Sequence, residues 1–291
     1  MEKSEFKIDF IGIGAVRSGT TWLTDCLREH PQIFIPAVKE ICFFNSQQYG
    51  RNYLKGVGWY QRFFKHVPQG GVKGEFTTHY MFFPDSAQLI KKHFPNVKII
   101  ACLRQPESTA YSFYWWRKST FAVNEIPETF EDAFRQDETY FEVWQYYKQL
   151  KRYYGSFSKE NIKIILFEDI KKDPRAVLED LYRFLGVRED YIPSVLNERI
   201  NKGGGARSKL LARALSVVVG VLKKLRINTE VRALVSSGLS SWIYLKLTTR
   251  VFNYPPMQEG TRLRLRKLFR EDVEKLERLI GRDLSLWRDR P

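Results

Sequence analysis

The segment Gly12–Trp22, GIGAVRSGTTW, gathers residue types that bind an anion in a strand-to-helix turn. Backbone N–H groups in such a turn converge on one point, and the start of the following helix adds the positive end of its dipole. Gly14 and Gly19 let the backbone approach a ligand closely. Thr20 and Thr21 supply hydroxyl donors beside Ser18, and Arg17 supplies a cation. The chemistry this fits is the binding of a phosphate group. A tight turn that binds nothing would need fewer of these side chains. A Walker A loop has Lys directly after its last glycine and then a Ser or Thr for magnesium. Here Thr20 follows Gly19, and the cation sits two residues before that glycine, which argues against a Mg-nucleotide. Glu168-Asp169 could imitate the acidic partner of such a site, but acids at strand ends are common.

The elements that must position this loop are legible in the pattern of apolar residues. Residues 8–14 (IDFIGIG) read as a buried strand, 20–30 as a helix stopped by Pro31, and 71–75 (GVKGE) as a second strand. A helix over 84–94 carries Leu89, Ile90 and Phe94 on one stripe, with Asp85 and Ser86 in its first turn. A strand at 97–103 (VKIIACL) and a helix at 106–118 follow. Residues 138–153 carry an aromatic stripe through Phe141, Trp144, Tyr147 and Leu150. A fourth strand at 162–167 leads to a helix at 175–185 that ends at Gly186. Alternating strands and helices predict an α/β fold with a central parallel sheet and helices on both faces. A charged amphipathic helix is expected over 261–280, with Leu265, Leu268, Phe269, Val273, Leu276 and Leu279 at helical spacing.

Length and composition set the frame. A chain of 291 residues with 43% hydrophobic and 28% charged residues is ordinary for a globular protein and excludes a disordered one. Three cysteines, Cys26, Cys42 and Cys102, fit neither a disulfide scaffold nor a structural zinc site. No signal peptide or membrane-spanning run is visible, and the expected location is the cytoplasm. The net charge of +15 is uneven. Residues 1–196 carry 27 basic and 24 acidic residues, a net of +3, while 197–291 carry 21 and 9, a net of +12. Such a surface attracts phosphates, acidic polysaccharide, nucleic acid or anionic lipid, and its sign does not choose among them.

Further motifs narrow the choice. The strand at 97–103 runs into Arg104-Gln105-Pro106 and then Tyr111-Ser112-Phe113-Tyr114, an Arg at a strand end with a Ser eight residues on. Glu168 to Pro174 reads EDIKKDP, Phe184-Leu185-Gly186 follows, and Gly281-Arg282-Asp283-Leu284 closes the series. Lys39 to Asn45 reads KEICFFN. With the loop, these make the chain resemble sulfotransferases that use 3′-phosphoadenylyl sulfate (PAPS). The motifs stand closest to bacterial and heparan or carbohydrate-type members, whose KE-x-x-FF element the 39–45 run resembles. The resemblance covers nearly the whole chain, and 209–252 is its least typical part. Arg17 stands where many members have Lys, and Thr109 where Arg is common.

The resemblance implies a single domain over 1–291 with the P-loop-NTPase-like, three-layer sulfotransferase fold. It implies transfer of a sulfuryl group from PAPS to a hydroxyl, or second to an amine, with release of adenosine 3′,5′-bisphosphate (PAP) and no metal. Donor contacts would then be Arg17, Ser18, Gly19, Thr20, Thr21 and Trp22 at the 5′ end, with Arg17 at the leaving-group oxygen. Arg104 and Ser112 would take the 3′-phosphate, since a strand-end Arg lies where ligands bind in open parallel sheets. The loop NKGGGARS at 201–208 would close over the nucleotide through Lys202, Gly203 and Arg207. The resemblance points to Glu40 as the base, and Glu75 and His79 are the other candidates. A base in a closing pocket is expected to have its pKa raised toward neutrality.

The mixed apolar and basic run at 209–226 suits an interface: a core helix, a peripheral contact with an anionic membrane, an acceptor channel or an oligomer contact. Acceptors expected from this reading are small molecules, carbohydrates or lipids, and no nucleic acid. Two rival readings remain distinct in chemistry: a P-loop kinase or NTPase that needs Mg-ATP, and a non-catalytic binder of anionic membrane or nucleic acid with steep salt dependence.

Overall fold

The computed structural model describes residues 6–46, 49–65, 67, 70–120, 127–136, 139–198, 204–206, 249–251 and 254–288. The run at 209–226, most of 209–252, and Lys202, Gly203 and Arg207 lie outside these described residues. The chain divides into two compact units, one of Met1–Ala110, Glu138–Ile200 and Gln258–Pro291, the other of Tyr111–Asp137 and Asn201–Met257.

The first unit is built on five parallel strands: β1 (Phe10–Gly14), β2 (Ile33–Phe34), β3 (Val72–Phe76), β4 (Lys98–Leu103) and β5 (Ile162–Leu166). Their order is β2-β3-β1-β4-β5, so β1 is central. Among the described residues of the whole chain the helices are α1 (Thr20–Glu29), α2 (Val57–Gln61), α3 (Ser86–His93), α4 (Pro106–Thr120), α5 (Phe130–Gln136, in the second unit), α6 (Thr139–Glu142), α7 (Tyr146–Tyr154), α8 (Phe167–Lys172), α9 (Pro174–Leu185), α10 (Glu259–Ile280) and α11 (Ser285–Arg288). The expected α/β architecture with a helix-flanked parallel sheet is the one found.

One core cluster joins Phe10, Phe76, Ile100, Cys102 and Ile165 of the sheet to Leu23, Cys26 and Leu27 of α1 and to Leu178, Leu181 and Leu185 of α9. Ile11, Ile13, Ile99 and Ala101 alternate with those strand residues and are also fully buried, so both faces are covered. Asp173 caps α9 by accepting from the Ala176 N–H at 3.0 Å, and Pro174 occupies its first turn. Gly186 ends it at φ 79°.

Several expectations shift. The sheet has a fifth strand, β2, whose two residues pair with Val72 and Lys73 of β3. The strand expected to reach Phe167 stops at Leu166, and Phe167 opens α8. The 138–153 stripe breaks into α6 and α7, with Trp144 buried in the turn between them. Asp85 does not cap α3; its Oδ2 accepts from the N–H and hydroxyl of Ser46. On α10, Leu268 is 45% exposed, while Arg266 is buried against Glu107, Nε to Oε1 at 3.1 Å. In the second unit, the Tyr111 hydroxyl donates to the Pro255 carbonyl at 3.0 Å, and Trp115 stacks on Tyr254. Among the described residues no helix is long and apolar enough to cross a membrane.

The Arg266–Glu107 pair ties α10 to the start of α4 through two buried charges. Removing one partner strands the other, so Arg266→Ala is expected to cost about 3–5 kcal/mol. The double variant Arg266→Leu/Glu107→Leu is expected to lose less than the single one. Urea unfolding midpoints check both, and an unchanged midpoint for Arg266→Ala would overturn the assignment.

Candidate active site

The phosphate loop leaves the C-terminal end of the central strand. Arg17 has φ 62° and Gly19 φ 89°, so the chain makes a left-handed turn just before α1 begins at Thr20. No side chain caps α1, which leaves its first N–H groups for an external anion. A Cβ on Gly14 would stand 2.9 Å from the Thr78 carbonyl, so its lack of a side chain allows β1 and the 77–81 segment to meet. The Thr77 N–H donates to the Gly12 carbonyl and the Met81 N–H to the Ile13 carbonyl, both at 2.9 Å.

Within the loop the residues divide. Arg17 is half-buried, Thr20 buried and Thr21 exposed. Ser18 is fully buried, and its carbonyl accepts from the Cys102 thiol at 2.7 Å. The side chain of Trp22 packs in the core cluster, its indole N–H donating to the Leu196 carbonyl at 3.3 Å, so the donor contact expected of this residue falls to its backbone N–H. A bulky apolar ring at the third position of an amphipathic helix is drawn to the core.

The 36–45 segment approaches the loop from the other side. Arg28 of α1 donates to the carbonyls of Pro36 at 2.6 Å and Ala37 at 3.2 Å. That brings the Lys39 ammonium 3.3 Å from both the Thr20 and Thr21 hydroxyl oxygens, and 3.6 Å from Glu40 Oε1. Glu40 itself has φ 59° and Cys42 φ 52°. With Arg17, these are the non-glycine residues of positive φ among the described residues, and all three sit at this site. Strain of that kind concentrates at functional sites. The Glu40 carboxylate accepts from the Thr78 N–H at 2.8 Å and the Thr78 hydroxyl at 3.0 Å, with His79 Nδ1 at 3.6 Å.

The two candidate carboxylates live in opposite environments. Burial pushes the Glu40 pKa up, but His79, Lys39 and the Thr78 N–H outweigh it and hold the group below its ordinary value. The expectation of a raised pKa at Glu40 is therefore reversed, because every neighbour favours the ionised form. Glu75, on β3, is 1% exposed. Its Oε1 accepts from the Tyr80 hydroxyl at 2.8 Å and the Tyr60 hydroxyl at 3.2 Å, and its Oε2 from Thr77 at 2.7 Å. Burial dominates here and pushes its pKa up to about 7, despite those hydroxyls.

At the end of β4, the Arg104 guanidinium lies over the Phe167 ring at 4.8 Å and reaches the Arg17 carbonyl at 3.5 Å. Arg104 does not pair with Glu107, which Arg266 takes. Glu168 accepts from the Gln105 N–H at 3.3 Å, and Asp169 pairs with Arg282 at 2.7 Å. Both acids of the imagined Walker B pair thus serve local contacts. Ser112 is buried on α4, within the second unit.

The arrangement of β1, the loop and the strand-end Arg agrees with a family. A model of the sulfotransferase domain matches residues 7–202, more than half of the chain. The protein belongs to the sulfotransferase family. The chain is similar to a sulfotransferase from Alicyclobacillus acidocaldarius of known crystal structure, at 27% identity and TM-score 0.69, over 97% of this chain and 99% of that one. It is 29% identical to the membrane-associated sulfotransferase kil1 of Dictyostelium discoideum over 50% of this chain and 33% of that protein. It is also 29% identical to the bifunctional heparan sulfate N-deacetylase/N-sulfotransferase 4 of Mus musculus, over 62% of this chain and 22% of that protein. The chain thus spans a third or less of these curated relatives.

In this family member the residue that sequence reasoning undervalued is Lys39. Its place directly before Glu40 was the available signal, since a side chain one residue from a candidate base shares its turn. The structure adds the reach to Thr20 and Thr21.

Glu75 gives a pH signature. An acid whose folded pKa is raised holds its proton longer in the native state, so its contribution to stability is full below the unfolded pKa and falls as pH rises. For Glu75 the window runs from 4.5 to about 7. About 3 kcal/mol should be lost across it relative to Glu75→Gln, which cannot ionise. Unfolding curves of the two proteins across that window check it; parallel curves would sink the assignment.

Proposed function

We propose that the protein transfers the sulfuryl group of PAPS to a hydroxyl, or secondarily an amine, of a carbohydrate, glycolipid or other small acceptor, and releases PAP. The observation that carries this reading is the convergence of Lys39 on the two threonines that open α1 and on Glu40. An anion-binding helix start and an ionised carboxylate share one ammonium, as a reaction between an anionic donor and a proton-bearing nucleophile requires.

The roles follow from the residues. Thr20, Thr21, Gly19 and the loop N–H groups hold the 5′-phosphosulfate, with Ser18 shaping the turn. Arg17 and Lys39 stabilise charge on the leaving phosphate oxygen. Arg104 takes the 3′-phosphate, the end of the nucleotide to which the sequence resemblance also assigns Ser112, Lys202, Gly203 and Arg207. Glu40 accepts the acceptor's proton as the new O–S bond forms and the S–O bond to the nucleotide breaks. An anion at Thr20 and Thr21 competes with Glu40 for Lys39; losing that cation makes Glu40 a stronger base when the donor is in place. His79 then stabilises the site through its contact with Glu40. The chain acts as one sulfotransferase domain in the cytoplasm, with 209–252 as the segment that selects acceptors or touches a membrane surface. The name of the heparan sulfate relative supports testing carbohydrate acceptors first.

Thermal stabilisation by PAP without metal, beside ATP with and without magnesium, tests the donor. PAP should stabilise alone, and Arg104→Ala and Lys39→Met should each weaken it by about ten- to a hundredfold, the worth of a charged hydrogen bond. Stabilisation only by Mg-ATP would replace this reading with a kinase. With PAPS and de-N-sulfated heparin or a glycolipid as acceptor, Glu40→Gln should lower kcat by about a hundredfold or more while PAP binding persists.

A further inference from the structure

Beneath the Glu40 turn lies a buried polar group that the proposed chemistry does not touch. The Cys42 N–H donates to the Thr77 hydroxyl at 3.3 Å. The N–H groups of Phe43 and Phe44 donate to the Tyr80 hydroxyl at 2.8 and 3.3 Å. Both hydroxyls in turn donate to Glu75. A hydroxyl has one proton and two lone pairs. When that proton points at an acceptor-only carboxylate, the lone pairs must face the other way, here toward the amides. Take the carboxylate away and each hydroxyl is free to turn its proton toward an N–H, which repels it.

We propose that Glu75 is a positioning residue: its carboxylate fixes the polarity of the Thr77 and Tyr80 hydroxyls, which clamp residues 42–44 and thereby hold the strained turn that presents Glu40. The inference rests on Glu40 being the base. Three observations fit it. Glu40 and Cys42 have left-handed backbones that an unrestrained chain would leave. The turn is pinned on its remaining sides by the Glu40 N–H to the Phe76 carbonyl at 3.0 Å and by Asn52 to the Ile41 carbonyl at 2.8 Å. Glu75, Thr77 and Tyr80 all belong to β3 or the chain just after it, so the clamp is anchored on the sheet. Glu75, a candidate base from sequence, is thereby given a different task. Its carboxylate is enclosed by the Tyr60, Thr77 and Tyr80 hydroxyls and is 1% exposed.

The test is amide hydrogen exchange of residues 42–44 in the full chain, run above pH 7, where Glu75 is ionised. Glu75→Gln, Tyr80→Phe and Thr77→Val should each speed exchange there by about tenfold, one hydrogen bond's worth, and leave β1 and β4 amides protected. Thr77→Ser, which keeps the hydroxyl, should restore protection. PAP affinity should stay within about twofold. Turnover of PAPS with de-N-sulfated heparin should fall in Glu75→Gln, but not further when Glu40→Gln is already present, as expected of coupled residues. Unchanged exchange at 42–44, exchange raised equally in β1 and β4, or an additive loss in the double variant overturns the inference. A wild-type protein that binds PAP yet transfers nothing would count against the sulfuryl-transfer reading alone, and the exchange arm would still decide the clamp.

Discussion

Parallel strands that lie side by side end at the same edge of a sheet, and β1 and β3 do so in register, Gly12 opposite Phe76. The meeting of the phosphate loop with the 77–81 segment is a consequence of that pairing. The loop that follows β1 and the segment that follows β3 emerge together, and backbone bonds from Thr77 and Met81 to the last carbonyls of β1 carry the contact past the strands. The chain crosses from β1 toward β2 and β3, then returns to β4 on the other flank. The point where strand order reverses is where open parallel sheets bind ligands, and the phosphate loop and Arg104 stand on either side of it.

On this frame two carboxylates a short distance apart in sequence space are driven to different protonation behaviour by their surroundings alone. Glu40 is 33% exposed in its side chain and is met by an ammonium, an imidazole and a backbone N–H. Glu75 is sealed among phenol and alcohol groups that carry no charge. A full charge and aligned donors in reach outweigh partial burial, while hydroxyl dipoles do not outweigh complete burial. The pair is therefore divided between a group facing the loop and a group facing the interior, and the division is made by which strand or turn each residue rides on.

The fold was largely legible because its signals are local: apolar runs for β1, β4 and β5, Pro31 and Gly186 as stops, and glycines and threonines around the phosphate loop. What escaped was set by distant partners. β2 is two residues long and exists because β3 lies beside it. Arg266 sits on the buried side of α10 because Glu107 waits there, and no periodicity encodes that. Lys39 and the Glu75 clamp are the same kind of case: each depends on a segment brought up from elsewhere, by Arg28 on one side and by Thr77 and Tyr80 on the other.

Strain and polarity at the site are linked in one further way. A left-handed backbone at Arg17, Glu40 and Cys42 costs on the order of 1–3 kcal/mol at each residue and persists only where surrounding bonds over-determine it. For Glu40 and Cys42 those bonds are backbone amides donating to a carbonyl and a hydroxyl, and the hydroxyl is oriented by a buried acid. Apolar packing alone would fill the same volume without fixing a direction, because it has no donor and acceptor ends. The burial of Glu75 is unfavourable for the charge but makes its hydroxyl bonds strong, since a low-dielectric interior magnifies them. A turn that must hold one carboxylate against its backbone preference is thus steadied by a second carboxylate that never meets solvent.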